Sequence, residues 1–387
     1  MRCLLLFASF AACLLPVQAQ KPATRAAAPK FENGLPDDPQ FFPLAVWLQS
    51  PHNAARYAEL GINLYVGLYE GPTEAQLDAL DAAGMRTICA CNEVGRKHDK
   101  PTIVGWMHGD EPDNAQARDI PGYGPPILPK QVVDDYARIR RADPTRPVLL
   151  NLGQGVAWDN WYGRGERTNH PEDYPEYAKG CDIVSFDIYP VTHDHVEVKG
   201  RLEFVGRGVQ RLVEWTGGRK PVWACIETGH VGNASARPTA EQVRAEVWIA
   251  IACGARGIVY FAHEFAPKFV EDGLLQHQEI AAAVKDVDAE VLASAAVLNG
   301  PIVADAVRVA TKPDGEIAVR AHLDGHTLHL FTASLSATPT RATFTVRDGK
   351  RTGTVTESRA KQTLKLVDGR FADDFAGYAV HHYRIER

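Results

Sequence analysis

Eight apolar, β-rich runs alternate with amphipathic stretches between Phe42 and Leu292. That alternation predicts an α/β fold, a (β/α)8 TIM barrel. Past Gly300 the hydrophobic period shortens to two and Asp-Gly turns appear at Asp314, Asp324, Asp348 and Asp368. A small C-terminal antiparallel β-sandwich is therefore expected behind the barrel. No glycine-rich phosphate loop follows the first run, which, with the number of strands, disfavours a doubly wound open sheet.

The 387-residue chain divides on this reading into four parts: 1–19, 20–38, 39–299 and 300–387. In the first, Arg2 precedes the apolar run Leu4–Leu15, and Val17-Gln18-Ala19 offers a small-residue exit. This is the pattern of a signal peptide cleaved before Gln20, so an exported protein, periplasmic or extracellular, is expected, with no membrane contact after cleavage. The second part, rich in Ala, Pro and Lys, reads as a flexible leader.

Within the barrel, strands are expected over Phe42–Leu48, Ile62–Leu68, Arg86–Cys91, Ile103–His108, Pro147–Leu152, Asp182–Tyr189, Pro221–Ile226 and Gly257–Phe261. Helices are expected near Asn53–Leu60, over Thr73–Ala83, Lys130–Ala142, Tyr174–Lys179 and Thr239–Ala252, and near Leu275–Leu292. Thr73-Glu74-Ala75-Gln76 reads as a capping box, with Gly84 as the stop. In the sandwich, period-two runs stand at 307–310, 317–321, 327–331, 342–346 and 379–385.

Composition is that of a folded soluble chain, with 45% hydrophobic and 23% charged residues. A formal net charge of -6 and the lack of any Lys/Arg run argue against nucleic acid as a partner. Of the 7 cysteines, Cys3 and Cys13 leave with the signal. Cys89, Cys91, Cys181, Cys225 and Cys253 read as buried thiols.

Two stretches carry the chemistry. Gly105-Trp106-Met107-His108-Gly109-Asp110-Glu111-Pro112 and Val222-Trp223-Ala224-Cys225-Ile226-Glu227-Thr228-Gly229-His230 are each an apolar strand ending in a carboxylate and a turn. They are the fourth and seventh strands, which lie across the mouth of such a barrel, where catalytic residues collect. Two carboxyl groups about 5 Å apart there would serve glycoside hydrolysis with retention.

Gln49, Asn92 and Asn151 end strands one, three and five, where an amide could meet a substrate hydroxyl or serve the core. Trp158 and Trp161 lie on a long loop and could stack on the apolar face of a sugar or form the loop's own core. The His193-Asp194-His195 spacing suits a solvated turn better than a metal site.

With these motifs the chain resembles glycoside hydrolase clan A, the retaining (β/α)8 superfamily that includes cellulases, β-galactosidases and β-mannanases. The resemblance implies Glu111 as acid/base and Glu227 as nucleophile, acting on a carbohydrate substrate with no cofactor and no metal. In Asp187-Ile188-Tyr189-Pro190, it implies that Tyr189 hydrogen-bonds the nucleophile. Where the clan has Asn before the acid/base, this chain has Asp110, which cannot donate to a sugar 2-hydroxyl but can accept from it and raise the pKa of Glu111. Strand eight offers Phe261, His263 and Glu264 where many clan members place Trp, so Phe261, His263 and, after strand seven, His230 join the substrate-binding candidates. Two alternatives stand beside this reading. One is a catalytically silent sugar-binding barrel, which Asp110 suggests. The other is a metal-dependent hydrolase using His108, His230 and His263, although no His-x-His ends the first strand.

Overall fold

The computed structural model describes residues 30–118, 121–347 and 351–387. The signal segment and the turn at Asp348 lie outside the described residues. Eight parallel strands close in sequence order: β1 (Leu44–Trp47), β2 (Leu64–Val66), β3 (Arg86–Ala90), β4 (Ile103–Met107), β5 (Val148–Leu152), β6 (Ile183–Phe186), β7 (Val222–Glu227) and β8 (Ile258–Phe261). Alternation along each strand sorts the side chains. Leu64, Ile88, Val104, Leu149, Trp223 and Val259 fill the barrel interior, while Val46, Cys89, Val184, Ile226 and Tyr260 face the surrounding helices. Among the described residues the cysteines are free thiols, and Cys89, Cys181 and Cys225 are buried. Part of the expected leader is ordered: Asn33 N–H donates to Thr145 O (3.0 Å), and Leu35 packs on the interior cluster.

The helices are α1 (Ala54–Ala58), α2 (Glu74–Ala82), α3 (Glu93–Lys97), α4 (Pro129–Ala142), α5 (Tyr174–Tyr177), α6 (Glu203–Trp215), α7 (Ala240–Cys253), α8 (Gly273–Gln276), α9 (Gln278–Ala293) and α10 (Ala295–Asn299). Thr73 and Thr239 each form a capping box with the Gln three residues on, which fixes where α2 and α7 begin. Helix α6 is absent from the sequence expectation. Its Gly208 is a poor helix former, yet a Cβ there would lie 2.2 Å from the Phe186 ring. Close packing on β6 thus overrides local propensity. Among the described residues, no helix is long and apolar enough to cross a membrane.

The C-terminal strands are β9 (Val307–Lys312), β10 (Ile317–Asp324), β11 (Thr327–Ser334), β12 (Thr340–Val346), β13 (Gly353–Glu357), β14 (Gln362–Leu366), β15 (Arg370–Phe375) and β16 (Val380–Glu386). They form a five-stranded sheet, β10-β11-β16-β13-β14, and a three-stranded sheet, β15-β12-β9, packed around Phe344, Phe371 and Tyr383. The sequence expectation lacks β13, β14 and β15.

Helix α7 lies between the two domains. Its Trp248 ring stacks on Phe331 of β11 (5.5 Å between centroids). From β10, the buried Arg320 donates to the carbonyls of Ala255 (2.6 Å), Leu298 (3.1 Å) and Ile251 (3.3 Å), reaching the C-terminal ends of α7 and α10.

Candidate active site

At the end of β4 the backbone bends, and Glu111 adopts a left-handed conformation with φ of 41°. A non-glycine residue there carries strain, the kind that clusters at functional sites. Gly153, after β5, leaves space for the Glu111 carboxyl, because a Cβ would stand 2.9 Å from its Oε1. Asn114 Nδ2 donates to Glu111 Oε2 (2.8 Å), and Trp161 Nε1 donates to Asn114 Oδ1 (2.8 Å). Asp113, fully buried, accepts from the Gly153 N–H (2.9 Å) and the Tyr174 hydroxyl (3.0 Å), which ties the turn after β4 to its neighbours.

The carboxyl that meets Glu111 belongs to Asp187, one residue beyond β6. Two carboxyls in contact away from water cannot both ionise. Burial, the charges of Asp187 and Asp110, and the hydrogen bond to Asp187 push Glu111 well above the carboxylate range, so Glu111 keeps the proton. Asp187 is itself raised, by burial first and then by Asp110, while its bonds to Glu111 and Tyr189 pull the other way. Asp110 accepts from Asn151 Nδ2 (2.9 Å), and Asn151 Oδ1 accepts from the Ser185 hydroxyl (2.8 Å). Loss of hydration at this crowded rim lifts Asp110 to about 6. The mouth thus gathers Asp110, Glu111, Asp187, Tyr189 and Asn151.

Glu227 is placed differently. It ends β7 with no solvent exposure, and its Oε1 accepts from the Val191 N–H (2.6 Å). Its Oε2 accepts from the Thr192 N–H (3.0 Å) and hydroxyl (2.6 Å). Behind it stands Glu246 of α7, equally unexposed, whose carboxyl meets that of Glu227. Burial raises Glu227 to about 7 against the pull of its hydrogen bonds, and raises Glu246 well above the usual range, with Glu227's charge adding to it. It is Cys225, whose thiol lies 3.8 Å from Asn151 Oδ1, that carries β7 into the barrel beneath the mouth cluster.

Aromatic side chains flank the mouth. On one side Trp161 packs with Tyr162 (4.7 Å), whose ring is exposed. On the other, Tyr189 touches Phe261 (5.0 Å), followed by Phe265 and Phe269, both more than half-open or nearly so to solvent at 50% and 59%. Tyr189 donates to Asp187 Oδ2 (3.3 Å), whereas the resemblance implies a bond to Glu227.

The other candidates separate by what they bond. Trp158 is buried, donates to Glu197 (2.7 Å) and packs on His195, which makes it loop core. Asn92 caps α3, accepting from the Gly95 N–H and donating to Pro72 O (both 2.8 Å). Gln49 accepts from the Tyr57 hydroxyl and donates to Glu271 O (2.7 Å) and His263 Nε2 (3.1 Å). His263 is therefore the acceptor, and burial lowers it to about 4, a neutral ring. His230 bonds the Ala236 carbonyl. His108 lies behind β4 between Asp135 (3.0 Å) and the Gly180 carbonyl (2.7 Å), away from the other two.

Sequence reasoning missed Asp187 and Glu246. The first stands in a quoted motif, and its place just past an apolar strand was the available signal. The second sits inside the otherwise apolar run Ala245–Ala252, where a lone acid marks a buried partner.

Comparison with known proteins agrees with this architecture. The family model for β-galactosidase of glycoside hydrolase family 42 matches residues 130–293. That stretch holds β5 to β8 and Glu227, but not β4 or Glu111. No curated protein matches the sequence. The noncanonic maltogenic α-amylase AmyB of Thermotoga neapolitana superposes with a TM-score of 0.53 at 9% identity, over 90% of this chain and 99% of that one. AmyP in complex with maltose gives 0.50 at 10% identity, over 89% and 96%. At such identities the likeness is one of fold. The chain thus shares a closed (β/α)8 barrel with these structures and is similar over residues 130–293 to a glycoside hydrolase family.

Proposed function

We propose that this protein is exported and hydrolyses β-glycosidic bonds of a poly- or oligosaccharide by retaining double displacement. The observation that carries the reading is Glu111, a half-buried carboxyl held protonated at the rim by Asp187 and Asp110 between two aromatic walls. Protonated Glu111 would donate to the leaving oxygen, and after departure of the aglycone the same carboxylate would activate water. Glu227, at the end of β7 as in the clan, would attack the anomeric carbon.

Attack requires the Val191–Thr192 turn to lift, because that turn now occupies both oxygens of Glu227. Asp110 would accept a hydrogen bond from a sugar hydroxyl, with Asn151 holding it in place. Trp161 and Phe261 would supply the stacking faces.

The test is the intact mass of wild type and Glu227→Ala after incubation with a panel of 2-deoxy-2-fluoro glycosides. The expected result is a covalent adduct on wild type that is missing from the variant, with the labelling sugar naming the substrate class. Hydrolysis without any adduct, or an adduct that persists in Glu227→Ala, would remove Glu227 from the nucleophile role.

A further inference from the structure

Asp187 has three features that a structural carboxylate does not need together. It is 7% exposed, yet its Oδ1 receives no N–H or hydroxyl hydrogen bond from the protein. Its Oδ2 takes only the Tyr189 hydroxyl, at 3.3 Å. And it stands against Glu111, whose Oε2 is already held by Asn114. A carboxylate buried with so few donors costs several kcal/mol in general terms unless a proton is shared with it.

We propose that Asp187 is a positioning residue that shares the proton of Glu111, keeping that carboxyl protonated and aimed across the mouth until a glycosidic oxygen takes Asp187's place as acceptor. The proposal rests on the reading of Glu111 as proton donor and adds the group that sets its working range.

The surroundings agree with a proton held by repulsion. Facing Asp187 are Asp110 and Glu111 from the end of β4, Asp113 from the turn after it, Tyr189 from its own segment and Cys225 from β7, all acidic or neutral. Arg164 is engaged elsewhere, with Asp173 (2.8 Å) and the His170 carbonyl (2.9 Å). Asp187's backbone N–H is fixed to Leu152 O (3.1 Å), so the side chain is presented from a rigid strand end. In the bound state the proton moves from Glu111 Oε to the leaving oxygen as the glycosidic C–O bond breaks, and Asp187 stays ionised throughout. No further reactant is needed.

The experiment compares wild type, Asp187→Asn, Asp187→Glu and Tyr189→Phe in the full chain. It uses the pH profile of kcat/KM on aryl β-glycosides and the 13C NMR titration of the Glu111 carboxyl. Asn can donate to Glu111 but cannot share its proton, so Asp187→Asn should move the alkaline limb and the Glu111 midpoint down by one pH unit or more. Glycosides with poor leaving groups should lose the most kcat, and KM should change less than threefold. Asp187→Glu should restore part of the shift. Tyr189→Phe removes a donor from the Asp187 carboxylate and should move the limb slightly up. That opposite sign separates proton sharing from general damage to the site.

An unmoved limb together with an unmoved Glu111 midpoint in Asp187→Asn would overturn the proposal. If wild type hydrolyses no glycoside, the activity reading falls while the NMR titration still decides on Asp187. A Glu111 midpoint that stays unchanged in every variant then sinks the inference as well.

Discussion

The rim of this barrel holds one carboxyl pair that meets the mouth and another sealed behind the wall. Glu111 and Asp187 touch beneath aromatic walls, with Glu111 half-open to solvent. Glu227 and Glu246 touch with no exposure at all, under a turn that caps both oxygens of Glu227. Both pairs hold a proton for the same reason, the cost of two adjacent charges out of water. Only the first can hand it to a ligand in this conformation. Both carboxylates stand at strand ends, yet Glu111 meets Asp187 of the mouth while Glu227 meets Glu246 of α7.

That contrast can be broken first at the mouth. Glu111→Gln should lower kcat on unactivated glycosides by about 10²- to 10⁴-fold, the usual worth of a general acid. Aryl glycosides with good leaving groups should suffer far less in the first step. Equal losses on both substrates, measured under steady-state conditions, would take Glu111 out of the acid role.

The sealed pair should instead appear in stability. Glu227 is raised in the fold to about 7 from the ordinary glutamate range. The folded chain therefore keeps a proton that the unfolded chain loses above about pH 4.3. Stability from this group is greatest below that pH and falls as pH rises toward 7. The slope is on the order of 1 kcal/mol per pH unit for each proton retained. Glu246→Gln, which supplies an amide in place of the shared proton, should flatten the slope of Tm between pH 5 and 7. A variant with the wild-type slope would mean that the pair does not share its proton.

Thr192→Val removes the hydroxyl donor at 2.6 Å from Glu227 and should destabilise the protein by about 1 to 3 kcal/mol. Urea unfolding at pH 7 would measure it. The smallest effect should come from the outer wall. Phe265→Ala, at a half-exposed ring, should raise KM by about two- to tenfold and leave kcat in place, since a stacking contact is worth about 0.5 to 1.5 kcal/mol. A fall in kcat instead would place Phe265 in the reaction.

The legible and illegible parts of this molecule differ in kind. Glu111 and Glu227 could be assigned to the rim because Ile103–Met107 and Val222–Ile226 are apolar runs broken by a carboxylate, and β4 and β7 are where that reasoning puts them. Thr73 announced its helix through local chemistry, and Thr239 carries the same capping box. Contacts across the barrel were not legible. The pairing of Glu111 with Asp187 depends on a left-handed φ at Glu111 and on the room above Gly153, neither of which a spacing encodes. Helix α6 was hidden by Gly206 and Gly208, which make room for Cys253 and Ile249 of α7 and for the Phe186 ring. Strands β13 and β14 alternate only over Val355–Glu357 and Leu364–Leu366, too short a stretch to stand out. The stretch from 130 to 293 resembles a β-galactosidase family in sequence, while the turn bearing Glu111 lies outside that match.

The grip of Arg320 on the ends of α7 and α10 gives the terminal domain a mechanical meaning. Helix ends leave carbonyls without intrahelical partners, and here one buried guanidinium from the sandwich reaches Leu298 O at the end of α10, Ile251 O in the last turn of α7 and Ala255 O just past it. The sandwich is thus a stopper for the barrel's last helices. Heat should melt the two domains in a single cooperative transition, and a chain cut at residue 299 would expose the Trp248 face and remove the Arg320 donors from these carbonyls. Trimming the protein to its barrel removes part of what keeps the barrel closed.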